Sequence, residues 1–74
     1  MLSYNIKTFD DAEKLVRLCR SYQDDIDVLH GRYIIDGKSS LGVLSLVGHV
    51  VGIDISHFEN DDEADDFKVK LNKL

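Results

Sequence analysis

Apolar residues change period along this chain, from every second position to every third or fourth and back, and that order constrains the fold more tightly than anything else. Leu2, Tyr4 and Ile6 alternate with Ser3, Asn5 and Lys7, the pattern of a half-buried strand. Thr8 follows as a helix cap, with Asp10 and Asp11 suited to the positive end of a helix dipole. Phe9, Ala12, Leu15, Val16 and Cys19 then recur at helical spacing, with Glu13, Lys14, Arg17 and Arg20 on the polar side, and the helix is expected to end near Tyr22. Residues 26–29 and 33–35 are rich in β-branched side chains, and Gly31 between them supplies a hairpin turn. Asp36-Gly37-Lys38 breaks the pattern, and Ser39 before spaced apolar residues predicts a short capped helix that Gly48 ends. Val51, Ile53 and Ile55 alternate as a fourth strand. Asn60 or Asp61 caps a last helix whose core face is Ala64, Phe67, Leu71 and Leu74, acidic at its start and ending in Lys68, Lys70 and Lys73.

The resulting order, βαββαβα, predicts an α+β domain: a four-stranded antiparallel sheet with three helices on one face. Leu15, Val16, Ile26, Val28, Val51, Ile53, Ile55, Phe67 and Leu71 are its expected core. At 74 residues the chain is read as one domain, 1–74. One Cys leaves no internal disulfide, and residues 1–5 resemble no signal peptide, which together point to the cytoplasm. The apolar stretch 41–53 is too short and too interrupted to span a bilayer, so no membrane partner is expected. A formal charge of −5 argues against nucleic acid. Oligomeric state is not legible.

The most specific stretch is Asp36-Gly37-Lys38-Ser39-Ser40-Leu41-Gly42-Val43-Leu44-Ser45-Leu46. It resembles the short second helix of HPr, the histidine-containing phosphocarrier of the bacterial sugar phosphotransferase system. Tyr22-Gln23-Asp24-Asp25-Ile26-Asp27-Val28 resembles that family's entry to its second strand. Ile53-Asp54-Ile55-Ser56 with Asp61-Asp62-Glu63-Ala64 resembles its fourth strand and third-helix entry. The likeness runs from about residue 15 to the C-terminal end and implies the same order of elements.

The chain departs from the family where the chemistry would be. The family carries Gly-Leu-His-x-Arg-Pro-Ala at the start of its first helix, where the His accepts a phosphoryl group and the Arg and helix N-terminus hold it. Here Thr8-Phe9-Asp10-Asp11-Ala12 stands at that junction, with Thr8 opposite the histidine and Asp10 opposite the arginine. An aspartate repels phosphate where a cation is needed. The resemblance therefore implies a divergent member without the phosphohistidine loop, a non-catalytic binding or regulatory module rather than an enzyme. The alternatives are an atypical phosphocarrier using His30, His57 or Asp10, or an unrelated protein sharing the layout.

In Gram-positive members of the family this stretch resembles, the serine at the position of Ser39 is phosphorylated by a dedicated kinase and then binds a transcriptional regulator. Ser39 is thus a candidate regulatory site, with Lys38 adjoining it, although Ser40 stands where the family has an apolar contact residue. Lys38, Ser40, Leu41, Leu44 and Val47 are candidate docking residues, some of them shared with the core. The expected partners are cytoplasmic proteins: a kinase, a regulator or phosphotransferase-system components. No cofactor is expected. No C-x-x-C or H-x-x-x-H spacing points to a metal, so His30, His49 and His57 read as surface residues. Cys19 reads as a small core residue, and the acidic run 59–66 as a helix start without a calcium-loop pattern.

Overall fold

The computed structural model describes residues 2–74. β1 (Leu2–Ile6) leads into α1 (Phe9–Arg20), and β2 (Asp27–His30) and β3 (Tyr33–Asp36) form a hairpin. α2 (Ser40–Leu44), β4 (His49–Asp54) and α3 (Asp61–Asn72) follow. The order is the βαββαβα expected from periodicity, and the four strands make one sheet in the order β1-β4-β2-β3. All its pairings are antiparallel.

Alternation of side chains across the pleat decides what each face holds. β4 is central: Ile53 lies between Leu2 of β1 and Val28 of β2, and Val51 lies opposite Tyr4. Ile6, Val28, Val51 and Ile53 are at most 1% exposed, so this is the face that the helices cover. α1 adds Ala12, Leu15, Val16 and Cys19, α2 adds Val43, and α3 adds Phe67 and Leu71. Tyr22, Ile26 and Leu46 complete the same core. The opposite face carries Leu29, Ile34 and Val50 beside Asp27 and Asp54, and Ile34 is 72% exposed. All three helices lie on one face.

Local chemistry sets the element ends. Asn60 Oδ1 accepts from the N–H groups of Asp62 and Glu63 at 2.8 and 3.4 Å, which makes Asn60 the cap of α3. In the β2–β3 hairpin His30 pairs with Tyr33, leaving a two-residue loop. Gly31 opens that loop at φ 58°, a left-handed conformation that favours glycine.

Several expectations are corrected. α1 stops at Arg20, and Ser21 caps it by donating its hydroxyl to the Leu18 carbonyl at 2.6 Å. Phe9 points along the expected stripe but is 68% exposed, because its first-turn position finds no apolar neighbour to close over it. Leu74 lies past the end of α3 and is exposed, and Ala64 is half-buried. β4 ends at Asp54, whose carboxylate accepts from the Ser56 N–H at 2.8 Å and turns the chain. Ile55 therefore leaves the sheet and is half-buried, not part of the sealed core.

Candidate functional site

The segment connecting β3 to α2 is fixed by backbone bonds. The Gly37 N–H donates to the Ile26 carbonyl at 2.8 Å, and the Lys38 N–H donates to the Asp36 carboxylate at 2.9 Å. Ser39 then caps α2: its Oγ accepts from the Gly42 N–H at 3.3 Å, and its carbonyl accepts from the Val43 N–H at 3.0 Å. α2 sits close on the hairpin. A Cβ at Gly42 would lie 2.6 Å from Ile35 Cγ2, so glycine sets the approach there. Within and after α2 the apolar residues divide. Val43 and Leu46 are buried, Leu44 and Val47 are half-buried, and Leu41 is 83% exposed.

The structure also joins α1 to this segment. Arg20 Nε donates to the Lys38 carbonyl at 2.9 Å, and Nη2 donates to Ser40 Oγ at 3.3 Å. A groove of about 270 Å³ runs between the two helices, with Val16, Arg17, Arg20, Ser40 and Leu44 among its lining. Lys38, Ser39, Ser40, Leu44, Arg17 and Arg20 thus belong to one surface. The sequence shows Arg20 only as a polar position on α1, because its partners lie 18 and 20 residues further on. Beneath this segment Cys19 is fully buried against Gly37, and burial pushes its thiol up to about 12. It is a protonated core side chain at neutral pH.

Thr8 and Asp10 lie elsewhere, at the start of α1. Thr8 Oγ1 accepts from the Asp11 N–H at 3.2 Å, while the Asp11 carboxylate accepts from the N–H groups of Lys7 and Thr8, each at 3.0 Å. This capping box fills the helix entrance with the chain's own carboxylate. Asp10 pairs with Lys14 at 3.1 Å. Tyr4 donates its hydroxyl to the Asp11 carbonyl at 3.4 Å; burial, then the charges of Asp11 and Asp10, hold its phenol above the usual range.

The histidines fall at other places. His30 and His49 bring their ring centres to 4.4 Å, and His57 Nε2 lies 3.6 Å from an Asp27 carboxylate oxygen. Asp54 joins that last pair, a grouping that sequence spacing conceals because strand pairing creates it.

No protein-family model matches this chain, and neither does any curated protein sequence. The chain is similar in structure to HPr-C-His from Thermoanaerobacter tengcongensis, with a TM-score of 0.70 and 18% sequence identity over 96% of this chain and 89% of that one. The fold is HPr-like. Among the described residues no helix is long and apolar enough to cross a membrane.

Proposed function

We propose that this chain is a non-catalytic, HPr-like protein-binding module of the cytoplasm, related to the phosphotransferase-system phosphocarrier but without phosphoryl transfer through histidine. The observation that carries the reading is the entrance to α1. A phosphoryl group held there needs free backbone N–H groups and a cation. Here the Asp11 carboxylate stands at the entrance, bonded to the Lys7 and Thr8 N–H groups, and Asp10 adds a second negative charge where a cation is needed. No histidine occurs before His30.

The working surface in this reading is the α1–α2 face, with Leu41 outward and Lys38, Ser40, Leu44 and Val47 around it. Ser39 is its regulatory serine. A phosphate on Ser39 would place about two negative charges beside Lys38 and the apolar docking residues, changing which kinase, regulator or phosphotransferase-system protein can bind.

The test is incubation with phosphoenolpyruvate and the first enzyme of the phosphotransferase system, followed by intact-mass measurement. The chain should remain unmodified. A phosphohistidine at His30, His49 or His57, or an acyl phosphate at Asp10, would overturn the reading in favour of an atypical phosphocarrier.

A further inference from the structure

We propose that Asp27, Asp54 and His57 form a surface site for a divalent transition-metal ion, with zinc the best fit. Asp27 on β2 and Asp54 on β4 are register partners, so both side chains leave the sheet on the face away from the helices. Like charges placed directly opposite each other destabilise a sheet. Neither carboxylate has a lysine or arginine nitrogen within ion-pair distance among the described residues; the His57 imidazole lies beside Asp27.

The donor atoms come close to the spacing that a small cation needs. One atom from each residue can be chosen so that all three lie within 4.8 Å of one another. His57 Nε2 and Asp27 Oδ2 are 3.6 Å apart, too long for a hydrogen bond. Two ligands on a tetrahedral ion with bonds of about 2.1 Å stand about 3.4 Å apart. Asp27 and Asp54 are held on paired strands, and the Ser56 N–H donates to one oxygen of Asp54 at 2.8 Å, which orients that carboxylate. Asp36, the register neighbour of Asp27 on β3, is engaged by the Lys38 N–H and stands outside the donor set.

The donor chemistry selects the ion. Two carboxylates balance a double positive charge. The imidazole nitrogen favours zinc and its neighbours over calcium or magnesium, which take oxygen ligands. Three protein ligands leave a coordination position to water.

The test is calorimetric titration of the untagged full chain with zinc chloride, with calcium chloride in parallel. One zinc should bind per chain, reversed by chelator. His57→Ala and Asp27→Asn should each weaken it at least tenfold while the far-ultraviolet circular dichroism stays unchanged. The His30→Ala/His49→Ala double variant should bind as wild type. In proton NMR the His57 ring resonances should shift on zinc addition, which reads the site without any substitution. Absence of zinc binding, calcium binding more tightly than zinc, zinc binding unchanged in His57→Ala, or His57 resonances that do not move would each overturn the proposal. Binding lost in the His30/His49 variant would overturn it in favour of that pair.

Discussion

Two helix entrances in this molecule are capped in the same way and have opposite electrostatics. Thr8 and Ser39 are both extended cap residues whose hydroxyls accept from the N–H three residues on. Around Thr8 the chain adds the carboxylates of Asp11, which accepts from the Lys7 and Thr8 N–H groups, and of Asp10. Around Ser39 it adds Lys38 and Arg20, one adjoining in sequence and the other bonded across from α1. A hydroxyl cap alone therefore says nothing about anion tolerance; the charges within the next turn decide it. One entrance is closed by its own carboxylate. The other is left with cations beside it.

The largest expected effect breaks the Ser39 entrance from below. Gly42→Ala puts a methyl group 2.6 Å from Ile35 Cγ2, so the Ile35 side chain, α2 or the hairpin must move. Overpacking of this kind costs about 1–3 kcal/mol, and thermal unfolding should fall by roughly 4–8 °C for each kcal/mol in so small a domain. An unchanged melting temperature would mean that α2 sits on the hairpin more loosely than described here.

Next in size is the Thr8 entrance. Asp11→Ala removes the two bonds its carboxylate accepts, from Lys7 and Thr8, and should cost about 1 kcal/mol in urea denaturation, with Thr8→Ala, which removes the hydroxyl side of the box, similar. Ser39→Ala should lose roughly 1 kcal/mol or less, since Oγ makes a single cap bond there.

A charge swap sharpens the contrast. Ser39→Asp keeps a cap beside Lys38 and should leave stability within about 0.5 kcal/mol of wild type. Thr8→Asp also keeps a cap but faces Asp10 and Asp11, and it should be the less stable of the two by about 0.5 kcal/mol, a gap that narrows in high salt. Equal stabilities would dissolve the contrast between the entrances. Only Ser39→Asp should change partner binding.

The smallest effect is a control remote from both entrances. Tyr22 donates its hydroxyl to Asp66 at 2.6 Å, and that bond, followed by Lys70, holds the Asp66 carboxyl below the usual carboxylate range. A carboxyl that is more acidic folded than unfolded stabilises the fold above its unfolded value. That contribution is lost as pH falls through the lower folded value. Tyr22→Phe should therefore lower stability at neutral pH and leave it little altered in strong acid, so that the acid limb flattens. An acid limb as steep as wild type would assign the effect to Lys70 instead.

What the sequence made legible was local. The caps Thr8, Ser39 and Asn60, the glycine turn at 31 and the apolar stripes are decided within a few residues, and the element order followed from them. The stripes tell which way a side chain points, not whether another meets it, so Phe9 on the stripe of α1 and Leu74 on the expected core face of α3, both at element ends, stand in solvent. Ile55 failed for a related reason: alternation continued on paper past the bond between Asp54 and Ser56 that ends the strand. At the surface proposed for docking, Ser39 and its neighbours were visible as a motif. The Arg20 contacts were not, and neither was the meeting of Asp27 with Asp54, because both arise from long-range packing that no local period encodes.

The position of β4 has a consequence for how the chain assembles. β1 bonds only to β4, and β4 also bonds to β2, so the strand that joins the sheet is made after every other strand in it. Before it exists, the only strand pair available is the β2–β3 hairpin, too small to stand alone in water. A nascent chain on the ribosome must therefore keep β1 and the inner edge of β2 unpaired until residues 49–54 emerge. Folding is then one late event that zips two distant segments together, with the slower rate that such sequence separation brings.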